Sequence, residues 1–321
     1  MTGVQLVDHE AWFSQDTDIE SIVKALHRVR TAVRTDEDEG VPPEVTEAAV
    51  LNIVASSSSR ELLDEAAQVI AQLAQRHPSR SVLFLRMDAE TGGLAAEVNA
   101  FCTLRHGADR QICCEQLRIE GRGSYASQLH SLVQPLLVPD VPVFVWWRGA
   151  PPIRTTMYRR LRQMSQRMFV DSSGFREAFA QLAAEVVHST AEHCAISDLG
   201  WGRLEGWREQ VARLFDPPDT RHYLSQVNSV RVDTAVQGYP TEAVLLLGWL
   251  ASRLGWQVDA RHVQDGQSWT CGFRSSTGPI TCRIVGDHRN GARSGAITSI
   301  AMAAADGEFE LVVQPDGGSV T

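Results

Sequence analysis

No apolar run in this sequence is long enough to cross a bilayer. The longest, Ala243 to Ala251, falls far short of the ~20 residues required and reads as a buried helix. A basic excess is also missing. Lys plus Arg number 30 against 39 Asp plus Glu, a formal charge of −9, and a surface of that sign repels phosphate backbones and anionic lipid. Nucleic acid and membrane are therefore not expected as partners. Residues Met1 to Gln15 place Asp8, His9 and Glu10 where a secretory leader needs an apolar stretch, so a cytoplasmic location is expected. Signatures of catalysis are equally scarce. There is no H-E-x-x-H, C-x-x-C, G-x-S-x-G or Walker A loop, and no G-x-G-x-x-G after the first strand. The 10 histidines are scattered and never fall at metal-ligand spacing. The expectation is a protein without enzyme activity, metal or cofactor.

What is present suits a globular chain of two domains: 321 residues, 43% hydrophobic and 21% charged. The six cysteines, Cys102, Cys113, Cys114, Cys194, Cys271 and Cys282, read as reduced core thiols in a reducing compartment. Residues 1–45 are expected to hold an amphipathic helix, which opens the ordered part, and an acidic linker. A Thr17–Glu20 capping box starts that helix, and Ile19, Ile22, Val23, Leu26, Val29 and Val33 line one face. Asp36 to Glu39, Gly40, Pro42 and Pro43 follow as the linker.

Residues 46–218 alternate strand and helix and predict a three-layer α/β domain with a mixed sheet. Ser58 and Glu61 are expected to cap a helix whose stripe is Leu62, Ala66, Val69, Ile70 and Leu73. Gly93 to Leu104 alternates with period two and pairs with Gln111 to Ile119 in a predicted hairpin. Pro142 to Trp147 is apolar on both faces, as a central strand of a doubly covered sheet should be. Ser172 or Ser173 is expected to cap a helix reaching about Val187, and Gly202 to Phe215 forms another. Residues 219–321 predict a smaller α+β domain with an antiparallel sheet. It has one apolar helix, Thr241 to Leu254, stopped by Gly255, and an Asp306-Gly307 hairpin turn near its end.

Four places offer candidate chemistry. Ser56 to Ser59, between a strand and a helix, could cradle a phosphate or merely supply the helix cap. With Arg148 they define a second functional reading, a lactonase-like sugar-phosphate enzyme or sensor. Cys113 and Cys114 point to opposite faces of one strand, while the hairpin register sets Cys102 opposite Cys113, a conceivable redox pair. Beside them, Glu115 and Gln116 are expensive to bury unpartnered. Trp146, Trp147 and Arg148 end the central strand, where open α/β sheets place ligands, and Trp and Arg dominate interface hot spots. The alternative there is one indole in each layer, with Arg148 pairing a local acid. Asp198, Trp201, Arg203 and Trp207 form a second aromatic and charged cluster ahead of a helix; the plainer reading is an N-cap with core indoles.

Several ordered strings make the chain resemble the OpcA family of glucose-6-phosphate dehydrogenase assembly proteins. They are VLNIV at Val50–Val54, HPSR at His77–Arg80, CCEQ at Cys113–Gln116 and LVQPLLVPDVPVFVWWRG at Leu132–Gly149. Further on come VDSS at Val170–Ser173, ISDLGWGRLEGWRE at Ile196–Glu209 and LLLGWLASRLGW at Leu245–Trp256. The resemblance implies a non-catalytic partner that binds the dehydrogenase and favours its active oligomer. It carries over no catalytic residue and leaves the chain's own oligomeric state open. The candidate docking set is the CCEQ and WWRG segments with the Asp198–Trp207 cluster. Photosynthetic members resemble redox-controlled proteins with cysteines near the C-terminus. Here the last cysteine is Cys282, so that control is not carried over.

Overall fold

The computed structural model describes residues 6–35, 49–74, 76–104, 111–174, 183, 193–235, 240–259, 263–266, 268–287, 293–304 and 307–312. Side chains at 6–10, 30–35, 101–104, 111–113 and 311–312 lie outside the description. The chain divides into two compact units. The first is Met1–Val170 with Ala180–Ser197, and the second is Asp171–Phe179 with Asp198–Thr321.

The first unit is built on an eight-stranded mixed sheet in the order β1-β4-β5-β3-β2-β6-β7-β8. Its strands are β1 Leu6–Ser14, β2 Leu51–Ser57, β3 Ser79–Met87, β4 Gly93–Leu104, β5 Gln111–Arg122, β6 Val143–Trp147, β7 Arg167–Val170 and β8 Ala195–Asp198. Its helices are α1 Ile19–Thr35, α2 Arg60–Ala74, α3 Leu129–Val133 and α4 Thr156–Met164. Antiparallel pairing joins β1, β4 and β5, and parallel pairing runs from β5 through β3, β2 and β6 to β7. One face of the sheet packs Ile53, Ala55, Leu83 and Leu85 against Leu63, Ala66, Ala67 and Ile70 of α2. On the other face Trp147 meets Tyr158 of α4 edge to face, at 6.4 Å and 70°. Helix, sheet, helix is the expected three-layer arrangement.

The expected opening helix is preceded by a strand. Leu6–Ser14 pairs with β4 at the sheet edge, with a bulge between His9 and Trp12 that interrupts the alternation a sequence reading depends on. Two caps also shift by one residue. Asp18, not Thr17, accepts from the Ser21 amide at 2.7 Å and starts α1. Ser59, not Ser58, accepts from the Leu62 amide at 3.2 Å and starts α2. The buried stripe of α2 is therefore Leu63, Ala66, Ala67, Ile70 and Ala74, leaving Val69 and Leu73 41% and 43% exposed. The β4–β5 hairpin has the predicted register, with Leu94, Ala96, Val98 and Ala100 buried along one face. The predicted helix after Ser172 and the linker at 36–48 lie outside the described residues.

The second unit sets a helix, α8, against a second sheet. In chain order it contains α5 Leu199–Arg203, α6 Glu205–Leu214, α7 Pro218–Arg221, β9 Val227–Ala235 and α8 Thr241–Leu254. Then come β10 Gln257–Val258, β11 Val263–Asp265, β12 Ser268–Ser275, β13 Gly278–Asp287, β14 Ile297–Ala304 and β15 Gly307–Val312. The sheet runs β10-β12-β13-β9-β14-β15 with β11 beside β12, antiparallel except for the parallel β9–β13 pair. Ala304 stands opposite Gly307, so Gly307 belongs to the strand, while Asp306 of the expected turn lies outside the described residues. The inner face packs Val230, Val232, Ile280, Cys282, Ile284, Ile300 and Met302 against Leu246, Leu247 and Leu250 of α8. Leu204, Trp207, Val211 and Phe215 bury in the same core. That burial is why residues 198–218 belong to this unit and not to the α/β unit, where a boundary at Pro218 had placed them.

Candidate interaction site

Strand β6 delivers the two indoles to opposite faces, as strand alternation dictates. Trp147 is 0% exposed, and its Nε1–H donates to the Ala150 carbonyl at 3.2 Å. The Arg86 guanidinium lies 4.8 Å over its ring. Trp146 packs on the α2 side, with Arg148 stacked over it at 5.0 Å. Gly149 turns the chain away at φ 91°, a conformation that suits glycine. Arg148 itself donates to the Leu62 carbonyl at 3.2 Å and to Glu65 at 2.6 Å. Its guanidinium thus ties the strand end to α2. Ser59 is engaged as the α2 cap, and the Ser57 hydroxyl accepts from the Ser59 amide at 3.0 Å. The phosphate-cradle reading thus has its cation, Arg148, and the Ser57 and Ser59 hydroxyls engaged in contacts within the protein.

The CCEQ segment on β5 is likewise internal. Cys114 is buried against Ala74, and that burial raises its thiol pKa. Glu115 accepts from Arg80 Nε at 2.7 Å in a pair nearly closed to solvent, while Arg80 Nη1 donates to the Leu136 carbonyl at 3.1 Å. Gln116 is also buried. Cys113 stands opposite Cys102 in the backbone register, as expected, with both side chains outside the description. A second cross-strand pair went unnoticed in the sequence: Cys271 on β12 opposite Cys282 on β13, both free thiols. The Cys282 thiol hydrogen-bonds Cys271, which lowers the Cys271 pKa and, together with burial, raises that of Cys282.

The Asp198–Trp207 cluster differs. Asp198 accepts from the Gly200 amide at 2.8 Å, capping α5, and also from the Ser172 amide and hydroxyl. A Cβ at Gly200 would sit 3.2 Å from Asp198 Oδ1, so a side chain there would crowd the cap. Arg203 donates to both oxygens of Asp171, at 2.5 and 3.0 Å, and to Glu242 at 2.7 Å. Arg293 donates to the same Glu242 oxygen. Burial opposes the charge on Arg203, but Asp171 and Glu242 outweigh it and raise its pKa. Burial also works against ionised Asp171, yet hydrogen bonds from Arg203 and Ser173 leave its pKa lowered. The network holds the VDSS and ISDLGWGR strings together and clamps them to the first turn of α8.

On this base sits an exposed aromatic. Trp201 is 39% exposed, with the Arg208 guanidinium 3.6 Å over its ring and Nη1 donating to the Trp201 carbonyl at 3.2 Å. Trp207, six residues on, is 7% exposed and belongs to the core. Of the candidate docking residues, Trp147, Trp207 and Gln116 are thus core rather than surface, and Arg148 and Glu115 are held in internal ion pairs. Trp201, Arg203 and Asp198 remain accessible. Sequence reasoning missed Arg208, Asp171, Glu242 and Arg293. Arg208 stands on α6, the helix that directly follows the one carrying Trp201, a nearness in sequence that could have revealed it; the other partners are distant in sequence.

Among the described residues no group of His, Cys, Asp and Glu could hold a metal ion, and no helix is long and apolar enough to cross a membrane. The fold and site define a two-unit α/β protein with a rigidly mounted Trp–Arg surface patch. Two family models match it. They are the glucose-6-phosphate dehydrogenase subunit N-terminal domain at residues 70–185 and C-terminal domain at 194–316. The chain belongs to the OpcA family. A relative from Nostoc punctiforme, named "Putative OxPP cycle protein OpcA", is 31% identical over 202 residues, 62% of this chain and 43% of the relative. One of the same name from Synechococcus elongatus is 31% identical over 196 residues, 61% and 44% of the two chains. The chain therefore spans less than half the length of the curated relatives it matches. Scyllo-inositol dehydrogenase from Lactobacillus casei superposes with a TM-score of 0.43 at 9% identity, over 86% of this chain and 81% of that one. That likeness is too distant to carry an argument.

Proposed function

We propose that this chain is a non-catalytic partner of glucose-6-phosphate dehydrogenase that acts in the cytoplasm and favours the enzyme's active, assembled form. The family models carry the dehydrogenase in their description, and the relatives carry the oxidative pentose-phosphate cycle in their name. The single structural observation behind the reading is the exposed Trp201–Arg208 stack on its hydrogen-bonded base. Aromatic and Arg side chains fixed before contact lose little entropy on docking and supply most of the energy of an interface. Arg148, Glu115, Ser57 and Ser59 make contacts with other groups of the protein, which supports a surface-contact role over a substrate site.

Activation then needs no chemistry from this chain. A binder that prefers the active conformer tenfold shifts its population by about 1.4 kcal/mol. The test is titration of the purified chain into glucose-6-phosphate dehydrogenase, with co-elution and initial rates as readouts. Co-elution with a higher rate or lower KM is expected. Trp201→Ala should weaken the effect by at least about thirtyfold, the ~2 kcal/mol of a hot-spot residue. No association at micromolar concentration would overturn the proposal, and unaided turnover of a sugar phosphate by the chain would overturn its non-catalytic part.

A further inference from the structure

Charge is spread unevenly along this chain. Residues 121–170, which carry α3, β6, α4 and β7, hold 7 of the 30 basic residues and only 1 of the 39 acidic ones. Helix α4 concentrates the excess. Met157, Tyr158, Leu161 and Arg162 are buried, so the helical period turns Thr156, Arg159, Arg160 and Gln163 to solvent. Arg154, also exposed, stands just before the Thr155 cap.

Nothing among the described residues neutralises this face. Arg159 donates to the Thr156 hydroxyl and Arg160 to the Gln163 side-chain carbonyl, both at 3.4 Å, and neither they nor Arg154 pairs with a carboxylate. Arg60, Arg213 and Arg274, exposed elsewhere on the chain, each hold one. Gln128, Ser131 and Gln134, the exposed groups on and beside neighbouring α3, are neutral. The stretch's single acid, Asp140, joins no ion pair. Local preference is broken here as well. Helices α1, α2, α6 and α8 place a Glu in the first turn, where the dipole favours it, whereas α4 has none and Arg154 sits at its positive end. Sequences break such rules chiefly at functional sites.

Three unpaired guanidiniums on one face act together as a positive field whose complement is a surface rich in carboxylates. The face is small, since 9 residues of helix span about 14 Å. Duplex DNA or an anionic bilayer extends past it and meets the acidic remainder of the chain; a compact acidic patch on a protein meets the arginines alone. We infer that the α4 face, through Arg154, Arg159 and Arg160, draws in an acidic patch of a protein partner and speeds the encounter. The identity of that partner, glucose-6-phosphate dehydrogenase, rests on the function proposed above. Exposed charges of this kind set the association rate and its salt dependence, while an aromatic anchor such as Trp201 sets dissociation.

The test is the kinetics of binding between the full chain and the dehydrogenase at about 10 mM and about 1 M salt, Debye lengths of ~30 and ~3 Å. Arg154→Gln with Arg159→Gln and Arg160→Gln should slow association at least about tenfold at the lower salt, with dissociation nearly unchanged and the difference gone at the higher salt. Arg60→Gln with Arg213→Gln and Arg274→Gln removes the same charge elsewhere and should leave the rate within about threefold of wild type. Circular dichroism establishes that both variants are folded. Labelled poly-L-glutamate, titrated at low salt, should bind the wild type and lose at least about tenfold in affinity with the α4 variant. Equal association rates for wild type and α4 variant, equal slowing by the control variant, or a DNA duplex bound through these arginines more tightly than poly-L-glutamate would overturn the proposal. A wild type that holds poly-L-glutamate but ignores the dehydrogenase overturns the proposed function and leaves the acidic-partner face standing; failure with both overturns the face as well.

Discussion

Replacing Glu242 by Gln isolates the ion network under Trp201. Glu242 is buried in the first turn of α8 and accepts from both Arg203 and Arg293, while Asp171 supplies the second negative charge. Two guanidiniums and two carboxylates balance. Glu242→Gln keeps the shape and one acceptor but leaves two cations facing one anion. Breaking a fully buried pair costs ~3–5 kcal/mol. The Arg203 and Arg293 side chains are 32% and 42% exposed, so water screens part of the imbalance and about 2–3 kcal/mol is expected. For a unit of about 130 residues that is a fall in Tm of about 8–12 °C, read by calorimetry on the full chain. Removing Arg293 as well, as Met, should recover part of the loss, because Arg203 and Asp171 then pair alone. A Glu242→Gln Tm close to wild type, or a double variant less stable than the single one, would refute the network as the base of the site.

Acid should act through Asp171. Its pKa is lowered in the folded chain, so its contribution to stability is present above its ordinary value of 3.8 and is lost as pH falls through the lower folded value. Asp171→Asn should flatten that part of the Tm–pH curve, and an unchanged slope would argue against the assignment. Iodoacetamide under mildly alkaline conditions should label Cys271 before Cys282 or Cys114, because only the Cys271 thiol of these three is shifted toward the thiolate; peptide mass spectrometry reads the order, and earlier labelling of Cys282 contradicts it. Arg148→Met removes the ties to Glu65 and Leu62 at a cost of about 1–2 kcal/mol, a Tm loss of about 3–6 °C. It should leave the response of the dehydrogenase unchanged, in contrast to Trp201→Ala, and a lost response would return Arg148 to the docking surface.

Much of the architecture can be read from local periodicity. Leu94, Ala96, Val98 and Ala100 alternate because one face of β4 is buried, and the helix from Thr241 to Leu254 ends at Gly255 because a left-handed residue closes it. Such signals depend only on the nearest few residues. They fail where two neighbouring registers are nearly equivalent. Leu62 and Leu73 continue a plausible stripe on α2, yet a cap one residue later turns Leu63, Ala67 and Ala74 to the sheet. They fail also at the β1 edge, where the bulge breaks the alternation.

The site divides along the same line. Sequence alone determined the elements and the pool of side chains: indoles at a strand end and a helix start, guanidiniums beside each, and no motif for catalysis or metal binding. Only the tertiary structure decided which indole reaches solvent. Trp147 and Trp207 are enclosed by Tyr158 and by the second unit's core, while Trp201 stays out under Arg208. It likewise decided that Arg148 answers Glu65 and that Arg203 answers Asp171 and Glu242. Burial and charge pairing are set by groups tens of residues away in the chain, and only folding brings those groups within a few ångströms of one another.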